Sequence, residues 1–232
     1  MNGSIDFSRP FSYFTEDKNW VSKFVIGAAL GLIPIVNFFV GGYMLRLIDS
    51  LPQEKNLPQW DDWGTMFRNG FLLFLTLFIY AIPALIIGGI ALAFLIPAVI
   101  AAQKSGAVGA TMFLIPVLIG LFAMLYLLII YVLTPAIILI FNRNKSVGEA
   151  LNVGQVFELT RNNFKNIFMI ILVFWGVSVA VGIITSIPIL GTLLWIAAHF
   201  YTTLVVANLY GQLDKIVYPG IGVQGTEAVE PT

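Results

Sequence analysis

Residues 24–47 read FVIGAALGLIPIVNFFVGGYMLRL, and whether this run crosses a membrane once or turns back decides the topology of everything after it. It carries no charge before Arg46. A hydrocarbon core of about 30 Å takes ~20 apolar helical residues, so the run is long for one helix and short for two. Ile33-Pro34 lies near its middle. Proline removes a backbone donor and disfavours helix in the residue before it. A reversal there leaves arms of about 14 residues, or ~21 Å at 1.5 Å per residue, spanning fully only if residues 13–20 extend the first arm. Charge placement separates the alternatives. With a single crossing, the 12 basic residues divide four against eight between the two membrane faces; with a reversal, 11 of the 12 share one face. The positive-inside rule favours the reversal. All 12 acidic residues then fall on that same face, and both termini are expected in the cytoplasm.

Working outward, apolar residues make up 59% of the 232-residue chain and charged residues 10%, with a mean hydropathy of +0.92. Soluble domains run near ~45–50% apolar and ~25% charged. Further apolar runs cover 71–102, 111–141 and 167–213. The last has 47 residues without Lys, Arg, Asp or Glu, so it is expected to form two helices broken at Ile187-Pro188, with Gly191 close by. Pro83, Pro97, Pro116 and Pro135 interrupt the middle runs, and spanning helices tolerate proline. The fold class is therefore all-α: a polytopic transmembrane helical bundle with about six spanning or re-entrant helices, hairpins at both ends, and two interfacial helices. One membrane domain is expected over residues 1–215, with a flexible tail over 216–232. Residues 1–20 lack the basic start, apolar core and cleavage site of a signal peptide, so the first apolar segment is expected to be retained.

Two charged loops read as interfacial helices. In the first, spanning 58–68, Pro58 suits the first helical position, and Asp61 and Asp62 suit the first turn of a helix dipole. Trp60, Trp63, Phe67 and Phe71 follow at i, i+3, i+7 and i+11, the aromatic stripe of a headgroup-level helix. In the other, Ser146-x-x-Glu149 reads as a capping box, and Val147, Ala150, Leu151 and Phe157 give an apolar side interrupted by Arg161. Arg68-Asn69-Gly70-Phe71 and Arg161-Asn162-Asn163-Phe164 lead into apolar runs in the same way. A pseudo-symmetric repeat explains this; so does arginine snorkelling beside a buried phenylalanine.

Several segments resemble the prokaryotic membrane family called domain of unknown function 4013. They are Trp20 with the Gly-rich hairpin after it, Ile33-Pro34-Ile35-Val36-Asn37, Gly42-Tyr43-x-x-Arg46, and Leu57-Pro58-x-Trp60-Asp61-Asp62-Trp63. Tyr131-x-x-Thr134-Pro135 and Gly211-Gln212 are similar too, so the resemblance covers residues 7–215. It implies a bacterial or archaeal cytoplasmic membrane. It implies no activity, because the family has none assigned.

Candidate sites are few. Net charge is zero, which gives no electrostatic footprint for nucleic acid. There is no Cys, which excludes disulfides, thiolate nucleophiles and Cys-ligated metals. No Ser/His/Asp set, phosphate-cradling Gly loop or metal-ligand cluster is present, so neither catalysis nor a cofactor is expected. His199 is the single His and falls inside the last apolar run. An intramembrane ionisable group marks a functional candidate. The plainer reading is a neutral ring hydrogen-bonded to a neighbouring helix, and a tetrapyrrole axial ligand would also need only one His. Asp61-Asp62 could form an acid/base pair, but adjacent helical residues point about 100° apart. Arg46 has the spacing to pair with Asp49 or to clamp a lipid phosphate. Gly27-x-x-x-Gly31, Gly41-Gly42 and Gly88-Gly89 read as close packing or flexible backbone. Trp20, Arg46, Trp60, Trp63, Phe67, Arg68 and Arg161 are the interfacial or lipid-contact candidates. Two functions stand: a non-catalytic accessory, scaffold or interaction subunit with membrane lipids and other membrane proteins as partners, or a small-solute or lipid transporter. Acidic groups are absent from the expected spans, which weighs against ion-coupled transport.

Overall fold

A computed structural model describes residues 4–51, 56–105, 112–187 and 190–219. It is 84% helical, and the described residues contain no strand. Two 3-10 turns, Arg9–Phe11 and Tyr13–Glu16, precede the helices. In chain order these are α1 (Trp20–Gly31), α2 (Asn37–Ser50), α3 (Trp63–Ser105), α4 (Leu114–Asn144), α5 (Val147–Ala150), α6 (Val153–Asn162), α7 (Phe164–Thr185) and α8 (Leu190–Val217). Among the described residues, α3, α4 and α7 contain stretches long and apolar enough to cross a membrane.

The chain reverses at the first proline break. Residues 32–36 are non-helical and exposed around Pro34. The arms run antiparallel: Gly31 lies near the Asn37 side chain, while Trp60 stacks on Tyr43 of α2 and donates its indole N–H to the Lys23 carbonyl of α1 at 2.9 Å. Tyr13–Glu16 does not extend α1, because Asp17–Asn19 intervenes. α1 and α2 have 12 and 14 residues, so each falls short of the ~20 needed to span. The second break lies between Thr185 and Leu190; Pro188 itself is outside the described residues. Gly191 packs there because an added Cβ would stand 2.0 Å from the Thr185 carbonyl oxygen. Most of the expected flexible tail, residues 220–232, is outside the described residues, and Ile216 and Val217 are the last helical residues of α8.

The first expected interfacial helix is corrected. Residues 57–62 are irregular, and Trp63 begins a continuous helix that runs to Ser105. Asp62 takes a left-handed φ of 47° and accepts from the Thr65 N–H at 3.5 Å, so it caps the helix that Pro58 was expected to start. Asp tolerates this conformation better than most residues. Ser146 does cap α5, accepting from the Glu149 N–H. That second element is two helices: the first ends at Ala150 with Leu151 as its C-cap, and Asn152 caps α6 through its side chain. Its buried face is Ala150, Val156 and Leu159, whereas Phe157 is exposed. The two similar strings also differ. Arg68–Phe71 lies within α3, but Asn163 breaks the chain between α6 and α7, so no local symmetry follows.

The described chain forms two compact units. One comprises residues up to Leu75 together with those from Pro135; the other is Thr76–Thr134. In the first, Ala136, Ile137, Leu139, Ile140 and Phe141 are all fully buried. A helix segment apolar on every side belongs in the middle of a bundle. Phe200 of α8 fills the space left by Gly27, where an added Cβ would stand 2.2 Å from the ring, and it meets Phe24, Tyr43 and Trp60. α2 and α3 cross with backbones in contact: Cβ atoms at Gly42 and Gly70 would lie 2.0 Å from the Met66 carbonyl oxygen and 1.8 Å from the Phe38 carbonyl oxygen. In the second unit the Tyr126 hydroxyl donates to the Tyr80 carbonyl at 2.9 Å, joining α4 to α3.

Candidate functional site

Most of the ion-paired side chains of the first unit gather at one polar end, in three groups joined across long stretches of sequence. Asp17, just before α1, accepts from Lys23 Nζ at 2.7 Å and from the Leu57 N–H at 2.9 Å through one oxygen, and from the Asn19 N–H at 2.7 Å through the other. Lys23 Nζ also donates to the Leu57 carbonyl at 2.5 Å. Both side chains are buried. Burial alone would push the Asp17 carboxyl up, but Lys23 and the backbone donors of Asn19 and Leu57 hold it below the usual carboxylate range.

Arg46 staples the segment before α3. It donates to the carboxylates of Asp61 and Asp62 and to the carbonyls of Gln59 and Asp61. The Arg46–Asp49 pair that the spacing allows is not formed; Asp49 pairs with Lys145 instead. Asp61 and Asp62, expected to point apart, share one guanidinium because they lie in irregular chain rather than in a helix.

The third group surrounds the end of α4. Asp49 of α2 accepts from Asn142 Nδ2 at 2.6 Å and from Lys145 Nζ at 3.0 Å. Lys145 holds a left-handed φ of 48° just past the helix and donates its N–H to the Phe141 carbonyl, an αL cap that aims its side chain at Asp49. Arg143 binds both carboxylate oxygens of Asp214 on α8, with its guanidinium 4.6 Å from the centre of the Tyr218 ring. Burial raises the Asp49 carboxyl above its ordinary value against the pull of Lys145 and Asn142, and the neighbouring Asp214 adds to the rise. The last turn of α4 thus clasps α2 on one side and α8 on the other. Gln212 ties in the N-terminal segment by accepting from the Asp6 N–H at 2.7 Å and donating to the Asp6 carbonyl at 3.0 Å.

The candidate residues scatter around this end. Trp20 is half-buried between Phe14 and Phe24. Trp60 is stacked on Tyr43 at 4.0 Å. Trp63 and Phe67 pack on Phe39. The aromatic stripe exists, therefore, but α2 takes up part of it. Arg68 and Arg161 are exposed. His199 is exposed on α8 beside Trp195, with ring centres 5.9 Å apart, and its ring makes no hydrogen bond among the described residues. The expected helix-to-helix bond is absent there. No group of three His, Cys, Asp or Glu able to hold a metal occurs among the described residues.

The second unit carries an open groove of about 640 Å³ between α3 and α4. Ala84, Gly88 and Gly89 line one side, and Pro116, Gly120 and Ala123 the other. Every lining residue is apolar or Gly. Cβ atoms added at Gly88, Gly89 or Gly120 would meet nothing within 4 Å. These glycines leave space rather than bring backbones together.

An all-helical fold with three described helices long and apolar enough to cross a membrane is that of a helical membrane protein. The chain matches the family described as "Protein of unknown function (DUF4013)" over residues 26–190, and it belongs to that family. No curated protein and no solved structure matches it.

Proposed function

We propose that the chain is a non-catalytic accessory or scaffold subunit of a prokaryotic cell membrane. The observation that carries this reading is the groove between α3 and α4, open and lined by apolar residues. A solute pathway requires polar groups or free backbone at membrane depth. A groove of small apolar residues admits a neighbouring helix, because membrane helices associate by close backbone packing. The clasped carboxylates of the first unit are engaged in ion pairs and helix ties rather than poised for proton transfer. In this reading the charged end faces the cytoplasm with both termini, the short first hairpin is re-entrant, and about six helices span or enter the bilayer.

Purification from native membranes in mild detergent, with mass spectrometry of the co-purifying proteins, tests this reading. A stoichiometric membrane-protein partner is expected, lost in the Gly88→Leu/Gly120→Leu variant while the chain itself still folds. Solute uptake by reconstituted vesicles without any partner would overturn it. Reporter fusions at Gly106 and at Thr232 should report opposite sides of the membrane.

A further inference from the structure

A second surface, independent of any protein partner, has the chemistry of a phospholipid site. α6 buries Val156, Leu159 and Thr160. Beside that face runs Val153, Phe157, Arg161, spaced i, i+4, i+8 and so aligned along the helix. Val153 and Phe157 are each 59% exposed. Past Asn163, α7 opens with a stripe of its own, Phe164 and Phe168, 54% and 47% exposed, their rings 6.0 Å apart. Trp175 and Val179 extend it further along the same flank. Because α7 is one of the helices long and apolar enough to cross a membrane, its exposed flank faces lipid. The ridge on α6 immediately precedes that span in the chain, with Asn163 alone between the two helices.

Charge identifies what meets the ridge. At the polar end, Asp17, Asp49, Asp61, Asp62 and Asp214 are engaged by Lys23, Lys145, Arg46 and Arg143. Arg161 and Lys165 stand outside this pairing. Both are exposed, and among the described residues neither side chain makes an ion pair or hydrogen bond. Glu158 on α6 and Glu149 on α5 are exposed and bridge to neither. Arg161 lies in the last turn of α6 and Lys165 in the first turn of α7; like charges on either side of the break repel, and an anion held by both relieves that repulsion. Arginine offers a planar fork matched to phosphate oxygens, lysine a mobile point charge. Apolar groups directly beside the two cations suit a phosphate that carries acyl chains.

We propose that the elbow between α6 and α7 binds the headgroup of an anionic phospholipid. Arg161 and Lys165 hold the phosphate, and Val153, Phe157 and Phe164 sit in the upper acyl region. The full-length chain, purified in neutral detergent, is titrated with phosphatidylglycerol, with phosphatidylcholine of the same acyl chains, and with inorganic phosphate. Bound lipid is counted by native mass spectrometry, and stabilisation is read as a shift in the thermal midpoint. Two juxtamembrane cations predict a preference for phosphatidylglycerol on the order of 30-fold. Arg161→Gln/Lys165→Gln should erase it, while Arg161→Lys/Lys165→Arg and Lys18→Gln keep it. Equal response to the two lipids, an undiminished preference in the Gln variant, or an equal shift from inorganic phosphate would each overturn the assignment. Because the chain has no Cys, single spin labels can read depth in vesicles. A label at Phe157→Cys should be open to oxygen and shielded from a water-soluble nickel chelate, with the opposite result at Glu158→Cys. A reversed pattern also sinks the proposal.

Discussion

The two compact units solve the packing problem in opposite ways. Between Thr76 and Thr134 the buried side chains are mostly small: Ala84, Ala91, Ala98 and Ala123, with Thr76, Tyr80, Pro116 and Leu133. Large residues such as Ile86, Phe94, Ile96 and Phe122 point outward. In the other unit Tyr43, Phe141, Phe200 and Ile137 are buried, and ion pairs close one end. Where lipid is the solvent, apolar surface gains little from being hidden, so large side chains stay outside and small ones lie between the helices. Where the chain has a water-facing end, large side chains inside and paired charges at the rim resemble a soluble core. The same residue types therefore carry opposite energetic weight in the two units.

Four variants press on that contrast, in order of decreasing effect. Gly70→Ala should be the most damaging. Its Cβ would lie 1.8 Å from the Phe38 carbonyl oxygen, so α2 and α3 must separate, and a loss above about 4 kcal/mol is expected from thermal unfolding in detergent. Asp17→Asn comes next. It leaves Lys23 buried without a counter-charge, at a cost of about 3–5 kcal/mol, and adding Lys23→Met should restore most of the loss. A full loss that persists in the double variant would assign the effect to the Leu57 tether instead.

The third effect separates the two clasps by pH. Asp17 is held below its ordinary 3.8, so its contribution is complete above 3.8 and disappears as pH falls through the lowered value. Asp49 is raised from 3.8, so its contribution is complete below 3.8 and fades as pH rises through the raised value. The stability lost in Asp17→Asn should therefore grow from acid to neutral pH. The stability difference between wild type and Asp49→Asn should move the other way. Slopes of the same sign would break the distinction. Gly88→Ala should do least. Its Cβ meets nothing within 4 Å, and helix propensity favours Ala by about 0.5–1 kcal/mol, so a small gain or no change is expected.

Features that depend on backbone chemistry were legible in the sequence. Pro34 marks the first reversal, Ser146 caps its helix, and the apolar runs set the helices of spanning length. Pro58 was misleading, because Arg46 and Asp62 hold residues 57–62 irregular and delay the helix to Trp63. The three clasps could not be read in advance. Asp49 reaches Lys145 across 96 positions and Asp214 reaches Arg143 across 71, and local spacing carries no information about such pairs. Glycine was ambiguous for the same reason: Gly42 abuts backbone, Gly27 receives a ring and Gly88 faces open space.

The stack of Trp60 on Tyr43 has an optical consequence. The rings are nearly parallel, 7° apart at 4.0 Å, and the indole N–H is held by a carbonyl of α1. Such a pair has a fixed relative orientation, so its transitions couple and give circular dichroism in the near ultraviolet. Of the five tryptophans, Trp60 touches both arms of the first hairpin, so its signal depends on that hairpin being docked. The protein thus carries an intrinsic gauge of that docking event, readable in detergent or in vesicles without any label.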